Sequence, residues 1–456
     1  MKTRHVLLSA AIACCLVIPS FAVVETASID AAGKEYDKRF EDAREAGDRP
    51  GQADMGDYVD AAFAKIPLDQ LTLDQVQHAF SVAPFNLSFK AKAAADAYLT
   101  KLSAGTDADA ARAAILRLQL LNALTKPEDR VGLIKTVLAH PAIKAAITKG
   151  YGATLFNTIS PLSADDLKAI HDPLMALKDA VTPDAPVEFF DQAGRYALAI
   201  GHTLTQEDVR TFSPLREALA AAAGAKLNAE TKLSTADHDR LQNAYDQLKG
   251  AFARGELVGY PAPEIHFDAF FDPADPTHVV KSLSDLKGKV VVLDFWATWC
   301  GPCVASFPNV KAVQHYYRGY DVVVVGVTSI QGFVISKGER VDTAGDPVKE
   351  RALIPDFMKE KDMTWDVAVS AERVFNPDYG VNGIPDMIII DTKGIVRYAS
   401  LHPAAAADGK SSPLDDKVSK IDKLLGDGGK ILPAQLMMSK PKAPAATAPA
   451  PEKVGP

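Results

Sequence analysis

The hydrophobic pattern of this chain changes period at Gly259-Tyr260-Pro261-Ala262-Pro263, and that change constrains the fold more than any other feature. From about residue 56 to 254, apolar residues recur three and four apart, as in Leu118, Leu121 and Leu124, or Val131, Ile134, Val137 and Leu138. Such spacing lines one face of a 3.6-residue helix. Alanine is frequent and long β-branched runs are absent, which also favours helix. Thr72 with Gln75, and Ser234 with Asp237, place a hydroxyl before a helix and an acceptor three residues on. Ser213-Pro214 sets a cap ahead of a proline. No repeat period holds over three units. The expectation for 56–254 is an irregular all-α domain whose apolar stripes are core packing.

Beyond residue 259 the apolar runs are short and rich in Val and Ile, at 290–296, 322–327 and 387–390. Runs of this kind suit central strands buried on both faces. Helical segments are expected between them at 303–317 and 347–361, each kinked or broken by its internal proline, Pro308 or Pro355. Asp391-Thr392-Lys393-Gly394 turns into a last strand at 395–398, and a helix at 414–425 closes the domain. Alternating strands and helices imply an α/β domain over 259–427. The segment 329–345 reads as a long loop.

The two ends carry different signals. Lys2 and Arg4 precede an uncharged, largely apolar run at 6–18, followed by Pro19-Ser20-Phe21-Ala22 with small residues at −3 and −1 of a cut after Ala22. This is a secretory signal pattern over 1–22. Its apolar run is shorter than the ~20 residues of a membrane span, so the expectation is an exported protein in the periplasm or cell envelope, an uncleaved anchor being the alternative. Residues 23–55 read as a flexible lead-in with one short charged helix at 34–46, broken by Gly47-Asp48-Arg49-Pro50-Gly51. The Pro/Ala-rich tail 440–456 cannot build a core and reads as disordered. The chain carries 50 basic and 58 acidic residues, a net charge of −8 that becomes −10 without Lys2 and Arg4. That balance argues against a nucleic-acid partner, which needs a basic stripe.

Export sharpens the cysteine arithmetic. Of the four cysteines, Cys14 and Cys15 leave with the signal, and Cys300 and Cys303 remain. No other cysteine is left for a structural disulfide, so the pair is a local redox couple or half of a metal site. Zinc needs four ligands, usually a second paired set, and His315 stands alone in sequence. Neither a metal nor a cofactor is therefore expected. In Asp294-Phe295-Trp296-Ala297-Thr298-Trp299-Cys300-Gly301-Pro302-Cys303 a buried strand gives way to a helix near Cys300. A sulfur at a helix N-terminus meets unpaired N–H groups and the positive end of the dipole, which favour thiolate. Gly301-Pro302 permits the tight turn, and Cys303 lies one turn on, able to resolve a mixed disulfide. Asp294 lies within the apolar strand, where burial should raise its pKa and suit it to exchange a proton with Cys303.

These residues resemble the thioredoxin superfamily and, within it, the exported TlpA/ResA-like thiol-disulfide oxidoreductases. The resemblance rests on 295–303, with support from Pro261-Ala262-Pro263, Leu283-Ser284-Asp285-Leu286-Lys287-Gly288-Lys289, Gly383-Ile384-Pro385 and Asp391-Thr392-Lys393-Gly394. It covers 259 to about 427 and implies a thioredoxin-like α/β domain preceded by the all-α helical domain. It also implies that Pro385 is cis and packs on the redox disulfide, that Cys300 attacks and Cys303 resolves, and that Asp294 is the buried acid. Trp299, Gly301, Pro302, Ile384 and Pro385 would contact substrate, the Ile384 backbone by strand addition. Two features depart from the family. Val304 and Ser306 stand where a basic and an acidic residue often follow the second cysteine, and no lysine on 322–327 pairs with Asp294.

The expected activity is reduction of protein disulfides, with protein disulfides or dithiols as substrates and a membrane thiol-transfer protein as electron donor. Thioredoxin-type pairs lie near about −270 mV against about −120 mV for strong oxidants, and a Gly-Pro spacer leans toward the reducing end. The competing reading is a binding or scaffold module built on the helical domain, with the redox site as an accessory. A peroxidase is disfavoured, because Trp-Cys-Gly-Pro-Cys replaces a Thr-x-x-Cys peroxidatic site.

Overall fold

The computed structural model describes residues 24–122, 127–229 and 233–433. The expected signal segment with Cys14 and Cys15, Leu124 and the Pro/Ala-rich tail lie outside the described residues. The chain divides into two compact units, one ending at Ala146 and the other beginning at Ile147.

In the first unit, helices Thr26–Glu45, Gln52–Ala62, Leu73–Val82, Lys90–Leu102, Ala108–Asn122 and Pro127–Leu138 follow one another. Ile29, Val59, Phe63, Leu71, Phe85 and Leu99 form much of their core. The lead-in expectation needs correction here, since a 20-residue helix occupies Thr26–Glu45 and buries Ile29, Ala32, Gly33 and Tyr36. Those positions have helical spacing, but an alanine and a glycine at two of them mute the hydropathic signal. Close packing is what the small residues provide, because a methyl on Gly33 would meet the Val82 side chain at 2.9 Å. Thr72 caps its helix as expected: its hydroxyl oxygen accepts from Gln75 N–H while the Gln75 side chain accepts from Thr72 N–H.

The second unit combines helices with a six-stranded sheet. Strands are β1 (Phe267–Phe271), β2 (Val290–Phe295), β3 (Val322–Ser329), β4 (Phe333–Ser336), β5 (Glu339–Asp342), β6 (Asp366–Ser370), β7 (Asp386–Ile390) and β8 (Val396–Leu401). The sheet order is β1-β6-β3-β2-β7-β8, with β4 and β5 forming a separate hairpin. β2, β3 and β6 run parallel, and the other pairings in the sheet are antiparallel. Helices Gly301–Tyr316, Pro347–Glu360 and Pro413–Asp427 connect and close it. Neither Pro308 nor Pro355 interrupts its helix.

Side chains alternate across each strand, and the two faces have different covers. Val290, Val292 and Trp296 from β2 and the residue after it pack with Phe307, Phe357, Ile421 and Leu425 from the three helices. Val291, Leu293 and Phe295 pack on the opposite side with Leu198, Phe252 and Leu257. These last three come from helix Val187–Thr203 and from the segment after helix Thr235–Lys249. Polar contacts reinforce that cover. His202 Nε2 lies 3.0 Å from Gly380 O, and Asp378 accepts from Ala251 N–H and Phe252 N–H. The pattern change at 259 therefore marks a switch of secondary structure inside one compact unit, because the helices before it cover one face of the sheet.

Three sequence expectations in this unit are refined. β1 and β6 carry no long Val/Ile run and are absent from the sequence reading. The long loop at 329–345 contains the β4–β5 hairpin, turned at Lys337 and Gly338, both with positive φ. Ser213 is the first residue of its helix rather than the cap before it.

Gly380 shows how tightly the cover fits. Its φ is +72°, and a methyl there would lie 2.4 to 2.7 Å from Phe252 ring atoms. Gly380→Ala is expected to destabilise the second unit by about 2 kcal/mol or more through overpacking and backbone strain, read as a lowered unfolding midpoint by calorimetry.

Candidate active site

Cys300 is the N-cap of helix Gly301–Tyr316, and Pro302 lies in the first turn. Proline removes no hydrogen bond there, since the first N–H groups of a helix have no partner within it. Cys303 N–H donates to Cys300 Sγ at 3.1 Å. The first sulfur thus receives a backbone donor at the positive end of the helix. Cys300 and Cys303 are joined by a disulfide, with their Cα atoms 5.2 Å apart.

Access to the pair is one-sided. Cys303 is fully buried, and Cys300 keeps 3% of its surface. Trp299, Gly301 and Pro302 are exposed on one side of it, and Asn382 and Gly383 on the other. Ile384 and Pro385 are half-buried, and their peptide bond is cis. Ile384 O lies 3.7 Å from Cys300 Sγ, a contact rather than a hydrogen bond because the bonded sulfur carries no hydrogen. The structure thus brings Trp299, Cys300, Gly301, Pro302, Cys303, Ile384 and Pro385 to one place.

Asp294 lies on β2, six residues before Cys300. It is fully buried, and neither carboxylate oxygen makes a hydrogen bond within the protein. Burial, with the Asp386 carboxylate as a lesser contributor, pushes its pKa well above the usual range. Asp386 opens β7, opposite Phe295. Burial pushes its carboxyl up to about 7, against a hydrogen bond from Met387 N–H that acts the other way. Sequence reasoning passed over Asp386. The signal was available, since it is an acid at the start of an apolar run, as Asp294 is an acid within one.

A second group of residues surrounds Trp299. Its indole N–H donates to Gln331 Oε1 at 3.3 Å, and its ring lies 6.4 Å from that of the exposed Phe375. Thr298 Oγ1 accepts from Ile335 N–H on β4. Glu350, buried on helix Pro347–Glu360, accepts from Gln331 N–H, Gly332 N–H and the Thr343 hydroxyl. The segment carrying the β4–β5 hairpin is therefore tied to the turn before Cys300. Phe375 and Gln331 have no sequence signal, because only the fold brings them to Trp299. Among the described residues, no group of three or more His, Cys, Asp or Glu side chains is placed to hold a metal ion.

Comparison with known proteins places this site in context. Residues 257–416 match the Redoxin family model. The thioredoxin-like protein YneN of Bacillus subtilis is 32% identical over 117 residues, which cover 25% of this chain and 58% of that protein. The thiol-disulfide oxidoreductase ResA of the same organism is 30% identical over 114 residues, 25% of this chain and 54% of that one. The chain spans a little over half the length of each relative. Among solved structures, a thioredoxin-family thiol:disulfide interchange protein from Chlorobium tepidum is 20% identical with a TM-score of 0.25, covering 37% of this chain and 97% of the other. Residues 257–416 thus resemble a Redoxin domain, and they follow an N-terminal helical region.

Proposed function

We propose that this protein is an exported thiol-disulfide oxidoreductase that reduces protein disulfides through Cys300 and Cys303. The observation that carries the reading is the bonded cysteine pair at a helix N-terminus, with Cys303 N–H directed at the sulfur of the pair that keeps some surface. Helix-terminal donors favour thiolate at Cys300 in the reduced protein. That thiolate attacks one sulfur of a substrate disulfide and expels the other as a thiolate. Cys303 then gives up its proton and attacks Cys300 Sγ, releasing the second substrate thiolate and closing the Cys300–Cys303 bond. Two electrons pass from the enzyme dithiol to the substrate disulfide.

The difference in burial supports these separate roles for the two sulfurs. Cys303 has no surface from which a substrate could be met, whereas Cys300 opens between Trp299 and Gly383. The exposed aromatic pair Trp299 and Phe375 would contact the polypeptide around its cysteine, and Ile384 would offer backbone for strand addition. Asp294 would accept the Cys303 proton, since burial raises its pKa and makes the carboxylate a stronger base. Names of the relatives, thioredoxin-like protein and thiol-disulfide oxidoreductase, support this chemistry.

Export rests on Lys2, Arg4, the apolar run 6–18 and the Ala22 cut. No helix among the described residues is long and apolar enough to cross a membrane. A reductase in an oxidising compartment requires a source of electrons, and a membrane thiol-transfer protein would supply them to Cys300.

Two experiments test this reading. In an insulin-reduction assay, Cys300→Ser is expected to be inactive, and Cys303→Ser to accumulate mixed disulfides visible on a non-reducing gel; full activity in both variants would overturn the reading. The second concerns pH. Asp386 is raised from 3.8 to about 7 in the folded protein, so between those values the folded state holds a proton that the unfolded chain has lost. Stability should therefore decline as pH rises from about 4 to about 7. Urea unfolding across that window should show the decline in the wild type and a flatter profile in Asp386→Asn.

A further inference from the structure

A buried carboxylate that must ionise in order to accept a proton needs hydrogen-bond donors for its charged form. Asp294 has none within the protein, and the strand beside it carries no lysine. In the β2–β3 register the residue directly opposite Asp294 is Gly326. A methyl built on Gly326 would lie 2.8 Å from Trp296 Nε1 and 3.0 Å from Trp365 Nε1. Both indole nitrogens therefore converge over this glycine, and only a residue without a side chain admits them. Trp296 and Trp365 are buried to 0% and 1% exposure. Neither N–H makes a hydrogen bond within the protein, although buried indole N–H groups ordinarily find partners. One patch of apolar core thus holds two donors without an acceptor and a carboxylate without a donor.

The rings are fixed by their neighbours. Trp296 stacks on Phe357 at 5.3 Å and meets the edge of Phe307 at 5.6 Å, and Trp365 meets Phe307 at 5.3 Å. The groups facing Asp294 leave little competition. β3 presents Gly326, β7 presents Met387 opposite Asp294, and helix Pro347–Glu360 contributes Phe357. Helix Gly301–Tyr316 contributes Cys303 and Phe307, while Asp386 is the one other carboxylate that acts on Asp294. An indole only donates, so this pair bonds the ionised carboxylate more strongly than the carbonyl oxygen of its protonated form.

We propose that Trp296 and Trp365 are positioning residues for the redox step: their N–H groups, directly or through one bridging water, hydrogen-bond the ionised Asp294 carboxylate and hold it ready to accept the Cys303 proton. The inference rests on the proton role of Asp294 and adds the groups that make that role workable. The proton leaves Cys303 Sγ for Asp294 as Cys303 attacks the mixed disulfide. It leaves Asp294 for solvent or the departing substrate thiolate afterwards, and no other reactant is needed.

The test is the pH profile of the resolving step, followed by quenched flow and thiol alkylation in the full chain with a peptide disulfide. Trp365→Phe keeps a ring and removes the N–H. Its apparent pKa for resolution should rise by about one unit, and its rate at pH 7 should fall about tenfold, with the Cys300 attack unchanged. In an Asp294→Asn background the same substitution should have no further effect. A Trp365→Phe profile that superimposes on the wild type overturns the proposal. If Asp294→Asn superimposes as well, the proton role of Asp294 falls with it; if Asp294→Asn alone alters the profile, only the indole assignment falls. A second measurement needs no core substitution at either indole. The chain has 3 tryptophans, and the Nε1–H resonances of Trp296 and Trp365 should titrate with the resolving step in the wild type and lose that titration in Asp294→Asn. Flat resonances in the wild type overturn the proposal.

Discussion

The functional half of this molecule depends on the junction where β2 ends and helix Gly301–Tyr316 begins. A central strand buried on both faces delivers the chain to its C-terminal end, and the first turn of the helix supplies unpaired N–H groups. Cys300 occupies the cap, so its sulfur takes a donor that a serine or aspartate would take elsewhere. Everything else at the site is arranged around that sulfur. Trp299 and Gly301 flank it in the chain, Cys303 is bonded to it, and Ile384 O lies 3.7 Å from it.

How legible this was depended on whether the signal was local. The cysteine pair, the glycine-proline spacer and the acid within an apolar strand are contiguous in sequence, and each has a physical meaning that spacing alone conveys. The buried strands β2, β3 and β7 showed as Val/Ile runs for the same reason. β1 and β6 did not, because Phe-Asp-Ala-Phe-Phe and Asp-Val-Ala-Val-Ser are short and bounded or broken by acids. The helix at Thr26–Glu45 was masked by alanine and glycine at its contact positions. Phe375, Gln331 and Trp365 were out of reach altogether, since 32 to 76 residues separate them from the parts of the site they touch and only strand order closes those gaps.

Polar groups in this core follow two rules. Glu350 is buried but accepts three hydrogen bonds, and it ties the hairpin segment to its helix. Asp294, Trp296 and Trp365 are buried with none. Unsatisfied groups of this kind cost about 1–3 kcal/mol each, and others among the described residues, such as Tyr196 Oη and Gln247 Oε1, lie in the helical stretch. Glu350 spends its hydrogen-bonding capacity on the scaffold, whereas Asp294 keeps its capacity unspent.

The sheet has one face packed by its own three helices, and the other packs partly with Leu198, Phe252 and Leu257 from the preceding helical stretch. A fragment cut at the Pro261-Ala262-Pro263 boundary would retain the cysteines, the acid and every strand. It would lose Leu198, Phe252 and Leu257 from the cluster that packs with Val291, Leu293, Val325 and Ile388, while keeping Ile265, Leu283, Leu286 and Tyr379. The helix that contributes Leu198 therefore lends this face part of its apolar cover, and a fragment without it would expose more apolar surface than the full chain.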